Sequence, residues 1–130
     1  MQTTRDISQM NLLTLAFVGD AVQELQIKTA LALEMDASTH VLQKKSVGYL
    51  CCEAQAAAAR SILEELTEEE LSIYKRARNA KVSTVPKHAT VADYHAATAI
   101  EAVIGYCYLK GERDRAAEII DKLRAFCDAR

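Results

Sequence analysis

Proline occurs once and glycine four times in 130 residues, so little in this chain can interrupt a helix. No segment alternates apolar and polar residues as a half-buried strand does, and the chain reads as all-α. A first helix is expected from about Asn11 to Leu33, with apolar residues at Leu12, Leu15, Ala16, Val22, Leu25 and Ile27. Asp36 and Ser38 then offer capping oxygens for a second helix from about His40 to Leu66. Thr67-Glu68-Glu69-Glu70 reads as a capping box opening a third helix that ends near Ala80. The stretch Lys81 to Ala89 holds the single proline, Pro86, and is the one clear irregular loop. Thr90 can cap a fourth helix to Lys110, Gly111 suits its end, and a last amphipathic helix spans about Glu112 to Phe126. The alanines at 56 to 59 suit close helix packing.

Two acids interrupt these apolar patterns, and each has a glycine nearby. At helical offsets, Asp20 neighbours Leu13, Ala16, Phe17, Gln23, Glu24 and Ile27, and Glu101 neighbours Tyr94, Ala97, Thr98, Ile104, Gly105 and Tyr108. Inward carboxylates need a partner charge or a metal, so two helices each offering one carboxylate suggest a metal site. An acid on an apolar face is more often half-exposed or paired with an arginine. However, Gly19 and Gly105 each cost about 1 kcal/mol in a helix and imply that another backbone comes close. That approach would bring Asp20 and Glu101 together. The same small faces suit packing within one subunit or against a second copy.

A chain of this length can build one real core, with half its residues hydrophobic and a quarter charged. No apolar run is long enough to span a bilayer, and MQTTRDISQM lacks the apolar centre of a signal peptide, so a cytoplasmic location is expected. Cys51, Cys52, Cys107 and Cys127 show no CxxC spacing and read as buried or half-buried thiols rather than zinc ligands. The net charge of −2 conceals an uneven distribution. Leu71 to Ala92 carries Lys75, Arg76, Arg78, Lys81 and Lys87 and no acid, while all 18 acids lie elsewhere. Such a segment suits a polyanion met on one face, or equally a solvated helix end whose dipole the cations complement.

The sequence Ala16-Phe17-Val18-Gly19-Asp20-Ala21-Val22, followed by Glu101-Ala102-Val103-Ile104-Gly105-Tyr106-Cys107-Tyr108-Leu109, resembles the two halves of the ribonuclease III catalytic signature, in the right order. The resemblance extends to NLLTLAFVGDAVQE, to KKS at 44–46 and to KRARNAK at 75–81. It is strongest to the short bacterial branch, Mini-ribonuclease III, which has the nuclease domain without a double-stranded-RNA-binding domain. The fit covers nearly all of residues 1–130 as one nuclease domain. Two acids of ribonuclease III itself are replaced, by Ala16 and Thr98, as they are in that branch.

The resemblance implies a homodimeric, Mg²⁺-dependent endoribonuclease for double-stranded RNA, with Mn²⁺ as a possible substitute ion. Asp20 and Glu101 would be its catalytic metal ligands. Its products would carry a 5′-phosphate and a 3′-hydroxyl, and its substrate would be precursor ribosomal RNA, notably the stem joining the ends of precursor 23S rRNA. No DNA substrate is expected. Duplex RNA is read through phosphates and 2′-hydroxyls, for which Lys44, Lys45, Arg76, Arg78, Asn79, Lys81 and Lys87 are the candidates. His40, His88 and His95 read as surface or capping residues. Glu24, one turn from Asp20, is a further candidate for a ligand or a held water. Two other functions compete: a catalytically silent RNA-binding or ribosome-associated protein on the same fold, and a helical protein–protein adaptor.

Overall fold

The computed structural model describes residues 5–81 and 84–130, so Val82 and Ser83 of the expected loop lie outside the described residues. Six α-helices and two 3₁₀ turns make up the described structure, with no strand among these residues: α1 (Leu12–Glu34), α2 (Thr39–Leu50), α3 (Cys52–Ser61), α4 (Glu68–Arg78), α5 (Val91–Leu109) and α6 (Arg113–Ala129). Side-chain caps start most of them. The Asn11 side chain accepts from Leu13 N–H, Ser38 from Val41 N–H and Thr90 from Asp93 N–H. Thr67 and Glu70 form the complete capping box of α4. Gly111 takes φ 93°, a left-handed conformation that stops α5 and lets α6 begin. The last helix runs past the expected Phe126 to Ala129.

The expected second helix, His40 to Leu66, is in fact two helices and a 3₁₀ turn at Leu63–Glu65. The break falls at Cys51, with φ −67° and ψ 152°. Its N–H still bonds Val47 O, and its own carbonyl accepts from Gln55 N–H, so one extended residue ends α2 and begins α3. The Gln55 amide Nε2 donates to Leu50 O at 3.2 Å across the corner. Beyond the elbow, Ala54, Ala56, Ala58 and Ala59 are buried, and α3 packs against α5. Cys51 is exposed at this corner, contrary to the expectation for the cysteines; Cys52 and Cys127 are half-buried and Cys107 is buried.

Helix α5 is the core element. It packs against α1, α3, α4 and α6, and Ala96–Ile100 and Ala102–Cys107 are buried. A helix apolar on all sides is a central helix. Its most extensive pairing is with α1, where the two backbones touch. A Cβ on Gly19 would sit 1.7 Å from Glu101 O, and one on Gly105 would sit 1.9 Å from Leu15 O. The glycines therefore pack within the subunit. The α4–α6 contact is fixed by a charge pair the sequence did not reveal. Arg115 donates to buried Glu70 through Nε at 2.9 Å and Nη2 at 2.7 Å, and to Glu65 O. Burial alone would raise the Glu70 carboxyl, but the Arg115 guanidinium and the Thr67 backbone N–H hold it below the usual range.

Candidate catalytic and RNA-binding site

Because α1 and α5 cross glycine on glycine, residues flanking each glycine face a common space. Asp20 follows Gly19, and Glu101 lies one turn before Gly105. Both carboxylates line one cavity of about 280 Å³, with Leu13, Ala16, Phe17, Thr84, Tyr94 and Thr98. Asp20 is exposed and Glu101 half-buried, so the expectation of two inward acids holds only for Glu101. Asp20 sits on the rim, where Phe17 is also 78 % exposed. Ala16 and Thr98 both line this cavity.

The electrostatics follow from that placement. Burial, then the negative charge of Asp20 and a hydrogen bond shared with it, push the Glu101 carboxyl up to about 9. Among the described residues, no lysine, arginine or histidine lines the cavity to offset the two acids. Two converging carboxylates with hydroxyls of Thr84, Thr98 and Tyr94 nearby form an all-oxygen donor set suited to a hard divalent cation. Among the described residues, no group of three or more His, Cys, Asp or Glu side chains gathers into a cation site. A cation held here would take two protein carboxylates and fill its remaining positions with water or substrate oxygens.

The seven basic and amide candidates are all exposed, and none lines the carboxylate cavity. Lys44 and Lys45 lie on α2, Arg76 and Arg78 in the last turns of α4, and Asn79 caps its end. Arg78 sits over the Tyr74 ring at 5.8 Å. Lys81 leads into the loop, and Lys87 lines a separate cavity of about 590 Å³ with Cys51, Cys52, Pro86, His88 and Asp93. The Cys52 thiol in that cavity is pushed up mainly by burial, then by the negative charges of Asp93 and Glu101. None of the seven is in an ion pair among the described residues. His40 and His88 are exposed and His95 is half-buried. The sequence reading named Tyr94 and Thr98 as neighbours of Glu101, but it had no signal that Thr84 would border the cavity.

The ribonuclease III domain pattern matches residues 13–112, a span holding both carboxylates and the loop. The Mini-ribonuclease 3 of Clostridium tetani is 42% identical over 119 residues, covering 91% of this chain and 79% of that protein. The Mini-ribonuclease 3 of Brevibacillus brevis is 39% identical over 127 residues, covering 98% and 95%. A crystal structure of a protein from Fusobacterium nucleatum superposes with a TM-score of 0.81 at 36% identity, covering 91% of this chain and 94% of that one. The chain belongs to the ribonuclease III family of endoribonucleases, within its Mini-ribonuclease 3 branch.

Proposed function

We propose that the protein hydrolyses double-stranded RNA with Mg²⁺ held by Asp20 and Glu101, Mn²⁺ being able to substitute. The observation that carries this reading is the convergence of two carboxylates at the α1–α5 crossing with no basic side chain of the described residues in the cavity. Left alone, that arrangement is a liability, because it keeps Glu101 protonated at neutral pH. A divalent cation held by both side chains would displace that proton to water and offset the two carboxylate charges. When bound, such an ion polarises a phosphodiester and makes its water a better nucleophile. The chain's own residues do the rest. Asp20 on the rim meets the incoming phosphate side, Glu101 anchors the deeper side, and the backbone contact at Gly19 and Gly105 fixes their spacing. The losses at Ala16 and Thr98 leave space for water in the metal shell.

Lys44, Lys45, Arg76, Arg78, Asn79, Lys81 and Lys87 form the proposed RNA-contacting set. Their exposure and freedom from ion pairs among the described residues support it, since each can meet a phosphate without first breaking a salt bridge. Reading by phosphates and 2′-hydroxyls favours RNA over DNA. The working unit is a homodimer in the cytoplasm, and precursor rRNA is the substrate. With Gly19 and Gly105 engaged inside the subunit, the dimer face falls instead on the outer strip of α1. There Phe17 and Leu25, with Ala21 between them, lie open, Leu25 being 70 % exposed.

Incubation with a long RNA duplex tests the activity. Cleavage with Mg²⁺, none with chelator, and products bearing 5′-phosphates are expected. Binding without cleavage under every metal condition would identify a silent RNA-binding protein instead.

A further inference from the structure

Asp20 borders two cavities. The second, of about 250 Å³, lies on its other side between α1 and α2, lined by Asp20, Glu24, Lys28, Gln43, Ser46, Val47, Leu50 and Cys51. Among the described residues, Lys28 is the only basic one lining either cavity that contains Asp20. Its ammonium bonds Glu24 Oε1 at 2.6 Å, with the two side chains 43% and 46% exposed. Helical side chains lean toward the N-terminus, so Lys28, two turns after Asp20, reaches back toward it. A pair this open to water and on one helix face is weak, and its lysine can change partners readily.

We infer that Lys28 is a phosphate-binding residue of the cleavage site, held by Glu24 until RNA arrives. The substrate is the duplex RNA of the proposed function, on which this inference rests. The phosphate concerned is one flanking the scissile phosphate on the strand crossing Asp20. The scissile phosphate itself belongs to the carboxylate cavity, which has no basic side chain among the described residues. This gives Glu24 a role other than metal ligation: in the free protein its carboxylate is engaged by Lys28. Removing Glu24 should therefore release Lys28 for RNA.

The test is duplex-RNA affinity measured against KCl concentration in chelator, for wild type, Lys28→Ala, Lys28→Arg, Glu24→Gln and the double variant Lys28→Ala/Glu24→Gln. Lys28→Ala should reduce the log–log salt slope by about one unit, and Lys28→Arg should keep it. Glu24→Gln should tighten binding several-fold. That gain should disappear in the Lys28→Ala background, whereas simple removal of a negative charge near RNA would persist there. Titration of Mg²⁺ alone by calorimetry should be unchanged by Glu24→Gln. A wild-type slope for Lys28→Ala with a lowered melting temperature would overturn the inference and leave Lys28 a helix-surface partner. Loss of Mg²⁺ binding in Glu24→Gln would overturn it too. The triple variant Arg76→Ala/Arg78→Ala/Lys81→Ala separates the two levels. If it lowers the slope while Lys28→Ala does not, only this inference fails. If wild type does not bind duplex RNA, the proposed function fails with it.

Discussion

Replacing Glu101 by Gln should stabilise the metal-free protein at alkaline pH and leave it unchanged in acid. Glu101 has an ordinary value of 4.5 and is pushed up to about 9, first by burial and then by Asp20. Between those values the native protein keeps a proton that the unfolded chain releases. Stability from this group is therefore fully present below 4.5 and is lost as pH rises toward 9, at up to about 1.4 kcal/mol per pH unit. From pH 5 to 8 the ceiling is about 4 kcal/mol, and solvent screening at the cavity mouth brings the expectation to about 2 kcal/mol. For a chain of this size that is a fall in melting temperature of roughly 8 °C. Thermal melts in chelator at pH 5, 6, 7 and 8 should show wild type losing this much relative to Glu101→Gln. Asp20→Asn should recover part of the loss, because it removes the second cause of the shift. Mg²⁺ at pH 8 should raise the wild-type melting temperature and barely move Glu101→Gln. Parallel wild-type and Glu101→Gln curves would show that the Glu101 carboxyl is not raised in the folded protein and refute the reasoning.

Further outcomes follow from the packing. Gly105→Ala should cost more than about 3 kcal/mol in denaturant unfolding, since its methyl would lie 1.9 Å from the Leu15 carbonyl and a backbone cannot give way as a side chain does. Gly48→Ala, with nothing within 4 Å of the added carbon, should instead gain up to about 1 kcal/mol. Arg115→Ala should lower stability by about 2–4 kcal/mol, as it leaves the Glu70 carboxylate buried with only its capping contacts and the Cys107 thiol. Leu25→Glu should shift sedimentation at micromolar concentration toward monomer without lowering the helical content.

The parts of the fold legible in the sequence are those that local chemistry specifies. Thr67, Thr90 and Gly111 mark helix ends because each acts within a few residues of itself, and α4 and α5 start or stop where those signals put them. The break at Cys51 carries no such mark. Its extended conformation is open to any residue, and the turn follows from seating the alanine face of α3 on α5. The Glu70–Arg115 pair joins residues 45 apart and was equally hidden. At the site, glycines inside helical patterns correctly signalled a backbone crossing beside Asp20 and Glu101. Helical offsets placed Phe17 and Leu25 on apolar faces, yet both are exposed, because one chain's periodicity does not say whether a face meets its own core or another surface. The loop residue Thr84 reaches the cavity through tertiary placement alone.

The central claim is that Asp20 and Glu101 act in cleavage rather than in folding, and paired assays on Asp20→Asn and Glu101→Gln test it most directly. Each variant should lose nearly all Mg²⁺-dependent cleavage of a long RNA duplex. Each should still bind that duplex at least as tightly as wild type and melt no earlier in chelator. A variant that melts early but cuts at the wild-type rate once folded would contradict the assignment and make the pair structural.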